Sequence, residues 1–144
     1  MTSFEKSILV QHGASQMYRL VDDIESYPEF LPWCSNSKVF KRGLEHVDAS
    51  LTIDFHGVRQ EFITRNNISL RPHKMEIDLI KGPFKSLHAK WQFQDLGEKA
   101  CRVDFLIEYS FANIILRNLM GPVFKVITSS LVDAFVKRAK VLYG

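Results

Sequence analysis

The last stretch of the chain, NIILRNLMGPVFKVITSSLVDAFVKRAKVLYG, keeps a helical period from end to end. Leu116, Leu119, Met120, Val123, Phe124, Ile127, Leu131, Phe135 and Leu142 trace one apolar stripe. Asn113 stands at the N-cap position, where its side chain can accept from an orphan backbone N–H. At ~1.5 Å per residue this helix is about 45 Å long, enough to cross a whole domain. Gly121-Pro122 interrupts the pattern, and the missing proline N–H predicts a kink there.

Residues 36–111 read instead as strands divided by turns. SKVFKR runs to a turn at Gly43-Leu44-Glu45. HVDASLTIDF sets Val47, Ala49, Leu51, Ile53 and Phe55 against Asp48, Ser50, Thr52 and Asp54. His56-Gly57 is a tight hairpin reversal. VRQEFITRNNISL follows with Val58, Phe62 and Ile68 in phase, but with Gln60, Thr64 and Asn66 among them. HKMEIDLI places Met75, Ile77 and Leu79 on one face. After a Gly82-Pro83-Phe84 turn, SLHAKWQFQDL does the same with Leu87, Ala89, Trp91 and Phe93. CRVDFLIEYSF turns Cys101, Val103, Phe105, Ile107, Tyr109 and Phe111 inward. An alternating segment at 3–11, with Phe4, Ile8 and Val10 in phase with Lys6, adds a seventh strand. Between it and the others, Met17, Leu20, Val21 and Ile24 predict a short helix, capped by Ser15.

That helix runs into YPEFLPWC, residues 27–34, whose two prolines forbid a long helix or a central strand. Pro28 biases Tyr27 away from helix and is expected to end it. The prolines also fix the loop's apolar side chains at low entropic cost. Phe30, Leu31 and Trp33 either form a rigid lip at a cavity mouth or plug one end of the core.

The predicted class is therefore α+β: a curved, seven-stranded antiparallel sheet wrapped on a long C-terminal helix, with short helices after the first strand. The 144 residues fit one domain. A strongly twisted sheet curls, and one helix covers its concave face only along a stripe. The remainder is either filled by bulky side chains or left open for an apolar guest. Gln60, Thr64 and Asn66 face that space unless a bulge near Asn66-Asn67 shifts them to water.

Composition narrows the function. The net charge of +3 is mild, and no run of Lys or Arg exceeds two, unlike a dedicated nucleic-acid binder. Cys34 and Cys101 make no CxxC or zinc spacing and fit a reducing compartment. The five histidines, His12, His46, His56, His73 and His88, make no HExxH. GxSxG, P-loop and GxGxxG motifs are absent. No metal or cofactor is expected. The N-terminus lacks a signal-peptide core, and no window reads as a membrane span, which together predict a cytoplasmic protein.

The order of elements resembles the helix-grip fold of START-like lipid-transfer and polyketide cyclase-like (SRPBCC) proteins. YPEFLPWC, FITRN at 62–66, DLIKGPFKSLHAKWQF at 78–93, ACRVDF at 100–105 and the closing FVKRAKVLYG resemble one branch more closely. This is the coenzyme Q-binding START-domain family, in the branch of the bacterial ribosome association (RatA-type) toxins. None of these motifs is catalytic, and the expected protein is not an enzyme, with a cyclase-like enzyme as the least favoured reading. The resemblance implies a quinone or isoprenoid guest, with ubiquinone as a possible bound ligand and a link to respiration. Candidate wall residues are Phe30, Trp33, Leu51, Ile53, Phe55, Phe62, Met75, Leu79, Phe84, Trp91, Phe93, Met120, Phe124 and Ile127. It alternatively implies a type II toxin that binds the large ribosomal subunit and blocks subunit joining, with an antitoxin partner. For that anionic partner the candidate RNA contacts are Lys81 and Lys85, near the cavity mouth, and Lys137, Arg138 and Lys140. The helix dipole alone also explains cations at a helix C-terminus.

Overall fold

From the second alternating segment to the last, each pairs with the next because the turns between them are short, and the first segment closes against the last. The structure, a computed structural model, describes residues 1–144. Its strands are β1 (Thr2–Val10), β2 (Cys34–Arg42), β3 (His46–Phe55), β4 (Val58–Asn67), β5 (Lys74–Lys81), β6 (Phe84–Asp95) and β7 (Cys101–Phe111). They form one antiparallel sheet in the order β1-β7-β6-β5-β4-β3-β2. Helix α1 (Ala14–Asp22) and a 3₁₀ helix (Ile24–Glu29) carry the chain from one edge strand to the other. Helix α2 (Ile114–Tyr143) follows β7.

The β3–β4 reversal is as tight as expected. His56 and Gly57 both have positive φ, 49° and 80°, the primed-turn geometry that matches strand twist. The β5–β6 turn approaches β4 so closely that a Cβ on Gly82 would lie 2.6 Å from the Phe62 Cβ. Only glycine fits there.

α2 begins where expected, with the Asn113 side chain accepting from the Leu116 N–H at 2.9 Å. It continues as one helix through Gly121-Pro122, so the proline costs a hydrogen bond without ending the element. Its buried side is Met120, Val123, Phe124, Ile127, Thr128, Val132, Phe135 and Ala139. Leu119 and Leu142, expected on that stripe, are half exposed, because the curved sheet contacts a narrower arc than the sequence stripe covers. α2 is also long and apolar enough to cross a membrane, by length and composition alone, contrary to the sequence reading. Its buried stripe instead joins the domain core. Lys6 points inward in phase with Phe4, Ile8 and Val10, and its ammonium meets Asp133 of α2 at 2.7 Å.

Three local expectations are corrected. Gly13, not Ser15, is the N-cap of α1. α1 ends at Asp22, and Tyr27 and Pro28 then lie inside the 3₁₀ helix, which stops at Glu29. The irregular loop thus shrinks to residues 30–33, since β2 already begins at Cys34. Finally, the outer sheet face is not uniformly wet: Ser50 and Thr52 are buried, small side chains between larger cross-strand neighbours such as Lys38 and Ile63.

Candidate functional site

A cavity of about 90 Å³ lies between the concave face of the sheet and α2. It sits where side chains are small. Ala49 on β3 and Ala89 on β6 line it, and thin positions leave space that Leu or Phe would fill. One row across the sheet is especially clear: Asn66 on β4 opposes Ile77, Ile77 opposes Ala89, and Ala89 opposes Ile107. All four line the cavity. α2 contributes Phe124, Ile127, Thr128, Leu131 and Phe135, and the segment joining the edge strands contributes Ile24, Tyr27 and Trp33.

Of the 19 lining residues 16 are hydrophobic, and Thr64, Asn66 and Thr128 are the rest. Thr64 Oγ1 donates to Asn66 Oδ1 at 2.9 Å. Thr128 Oγ1 donates back to its own helix at the Lys125 carbonyl, 3.2 Å away. The Tyr27 hydroxyl donates to the Val21 carbonyl. Burial, then the nearby Asp22 charge, pushes the Tyr27 phenol well above its ordinary pKa, so it stays neutral. The wall carries no carboxylate, imidazole, amine or thiol. Its chemistry is dispersion, apolar burial and a few neutral hydrogen bonds.

Among the expected wall residues, Trp33, Leu51, Phe62, Trp91, Phe124 and Ile127 lie on the cavity. Ile53, Met75, Phe93 and Met120 are inward but packed solid, at most 2% exposed. Phe84 is buried among Phe62, Phe111 and Phe124. Phe55 and Leu79 are partly buried against the core edge. Phe30 packs edge-on to Phe135, ring centroids 5.2 Å apart, beneath the Arg138 guanidinium. So Phe30 and Leu31 act as a plug, whereas Trp33 reaches the cavity. Ala49, Ile77, Leu87, Ala89, Phe105, Ile107, Leu131 and Phe135 were not expected as wall residues. Thr64 and Asn66 do face inward, and the only irregularity on β4 falls between Ile63 and Thr64 in its pairing with β5, not at Asn66-Asn67. Gln60 lies outside the cavity, on a surface hollow beside Gly82 and Leu116.

The YPEFLPWC segment and the Gly82-Pro83-Phe84 turn do not share one mouth. Phe84 packs on Phe124 and Phe30 on Phe135, eleven residues and about 16 Å apart along α2. The cations divide likewise. Lys81 borders the hollow with Leu116, near the start of α2. Lys137 borders a groove with Phe30, Pro32 and Trp33, about 30 Å away along the helix. Lys81, Lys85, Lys137 and Lys140 are exposed. Arg138 is not a free surface cation: it pairs with Glu29 at 3.5 Å, covers Phe30, and its Nε is buried without a partner.

Residues 10–136 match the model of the polyketide cyclase / dehydrase and lipid transport family. The chain belongs to this family. Within it, the chain is 39% identical over 143 residues to the ribosome association toxin RatA of Pseudomonas aeruginosa, covering 99% of each. It is 29% identical to the mitochondrial coenzyme Q-binding protein COQ10 homolog B of Xenopus laevis, over 98% of this chain and 59% of that one. Among solved structures, a START superfamily protein from Mycobacterium smegmatis superposes with a TM-score of 0.78 at 17% identity, covering 97% and 98% of the chains. The Zhui aromatase/cyclase from Streptomyces superposes at 0.83 with 12% identity, covering 96% and 93%. The polyketide cyclase and lipid transport family thus supplies the helix-grip, START-like architecture; the relative matched over its full length carries a toxin name, and the one matched over part of its length a coenzyme Q-binding name.

Proposed function

We propose that this protein binds one apolar, ring-bearing ligand of the quinone class between its sheet and α2, without chemistry on it. The observation that carries this reading is the cavity wall, apolar at 16 of 19 positions and free of carboxylate, imidazole, amine and thiol groups, with its one phenol, Tyr27, held neutral and bonded to the Val21 carbonyl. Similarity to a coenzyme Q-binding protein supports the quinone class. Burial at roughly 25 cal/mol per Å² holds such a guest without any catalytic group. At about 90 Å³ the resting cavity is smaller than the ~150 Å³ void that holds benzene, so ligand entry requires it to widen. The β6–β7 side resists, because its strands pair continuously from Ser86–Ser110 to Asp95–Cys101. The side that gives is the 3₁₀ segment against α2, joined by the Phe30–Phe135 contact and the 3.5 Å Glu29–Arg138 pair.

The chain's two tryptophans, Trp33 and Trp91, both line the cavity, so intrinsic fluorescence reports its occupancy. Titration with a short-tailed benzoquinone is expected to quench that emission saturably at one equivalent. Emission that falls only linearly, with no saturation, removes the proposal.

A second reading is association with the large ribosomal subunit in the cytoplasm, as a toxin held by an antitoxin partner. Full-length similarity to a ribosome association toxin supports it. The exposed Lys81, Lys85, Lys137 and Lys140 supply the cations that an RNA surface requires. Co-sedimentation with ribosomes is expected at low salt and is expected to weaken steeply as salt rises. No co-migration at low salt eliminates this reading.

A further inference from the structure

The cavity is apolar except at one place on the sheet, and that place has a defined donor. Asn66 is 4% exposed and sits mid-row between Val47 and Ile77. Its Oδ1 is already occupied by the Thr64 hydroxyl at 2.9 Å. That bond fixes the carboxamide and leaves the Nδ2 hydrogens with no side-chain or backbone partner in the protein. Nδ2 is not among the sealed, unpartnered polar atoms of the core, and Asn66 lines the hollow. A buried amide without an acceptor is costly. The other hydroxyls on the wall are engaged elsewhere, Thr128 donating to the Lys125 carbonyl and Tyr27 to the Val21 carbonyl.

We infer that Asn66 is the polar anchor of the ligand site, its Nδ2 donating to a carbonyl oxygen on the ring end of the guest. This rests on the ligand-binding reading above and names its recognition chemistry. Ala89 lies two strands along in the same cross-sheet row and leaves room for a ring over the sheet, while Thr64 holds the amide in place. The site then ranks guests by their acceptor as well as by their apolar area. A hydrocarbon of equal size leaves the donors unmet, whereas a carbonyl satisfies them.

Two probes separate these contributions: a decyl-substituted dimethoxy-methyl-benzoquinone and decylbenzene. Thr64→Val with Asn66→Leu removes donor and orienting hydroxyl together, so no new unpaired group is left in the core. This double variant is expected to bind the benzoquinone about tenfold more weakly and decylbenzene as well as or better than the natural protein. Thr64→Val alone, which frees the amide to rotate, is expected to show a smaller loss of the same sign. An unchanged melting temperature establishes that the double variant is folded. Equal loss of both probes, or no loss of either, overturns the anchor while leaving the cavity reading intact. A natural protein that binds neither probe overturns both.

Discussion

On β6 and β7 the inward positions are Leu87, Ala89, Trp91, Phe93, Val103, Phe105, Ile107 and Tyr109, all of them buried and none charged. On β3 and β4 the inward positions include Thr64 and Asn66, two of the five buried polar residues of the molecule; Thr128 of α2 lines the same cavity, while Ser50 and Thr52 lie on the outer face. Both hairpins face the same helix. The first is aromatic mass: Trp91 lies tilted against Phe105, ring centroids 4.5 Å apart, and edge-on to Phe135 of α2 at 5.3 Å. The second is thinner and carries hydrogen-bonding groups. Each hairpin gives five residues to the cavity wall, but those of β6–β7 are all apolar, whereas β3–β4 adds Thr64 and Asn66, so the hollow has an apolar side and a side with something polar to offer.

The largest effect is expected where the aromatic half is broken. Phe105→Ala should lower stability by about 3–5 kcal/mol in urea unfolding. A loss near 1 kcal/mol would mean that β6–β7 is no more of a core than β3–β4. The next test fills the hollow on the other hairpin. Ala49→Val adds methyls where space exists, so stability should hold or rise by about 0.5–2 kcal/mol. Affinity for a short-tailed benzoquinone should nevertheless fall at least tenfold, as read by tryptophan quenching. Stability falling together with affinity would show that Ala49 faces packed core rather than a cavity.

A smaller effect marks the ends of both hairpins. Cys34 pairs with Ile53 of β3, and Cys101 opens β7. Burial pushes each thiol from 9.0 up to about 11. The folded protein therefore keeps protons that the unfolded chain releases. This stability is complete below pH 9 and is lost as the pH rises toward 11. Denaturation midpoints measured across that window should decline, and Cys34→Ala with Cys101→Ala should flatten the decline. The smallest effect belongs to the outer face of β3–β4. There Arg65 donates to Asp48 at 2.9 Å and holds its carboxyl below the usual carboxylate range. That contribution is present above about pH 4 and fades as the pH falls through the lower folded value. Asp48→Asn should alter only the acid limb of a pH–stability curve, and slightly, because the pair is largely solvated.

Topology was legible in the sequence because two periods do not mimic each other. β3 and β7 have the boundaries that alternation predicts, and Asn113 caps α2. The wall was legible only in part, for a physical reason. Large apolar residues such as Met75 and Phe93 attract attention, yet they fill space rather than border it, and the hollow lies over Ala49 and Ala89. Alternation fixes which face a residue takes, but sheet curvature decides where α2 stands off. Short helices after the first strand were expected, but not that one would run through Tyr27 and Pro28, because Pro28 argues against α-helix yet sits inside this short 3₁₀ helix. Thr64 and Asn66 were visible as polar interruptions of an inward face, and the unbroken β3–β4 register places both on the concave side.

The most direct test of a quinone held inside, rather than on, this molecule is a methyl-resolved NMR titration with a short-tailed benzoquinone. The expected shifts are at Leu51, Ile77, Leu87, Ile107, Ile127 and Leu131, all on the cavity wall. Ile114, Ile115 and Leu119, exposed on the outer side of α2, should not move. Shifts confined to those three, with the wall methyls silent, would contradict an internal site.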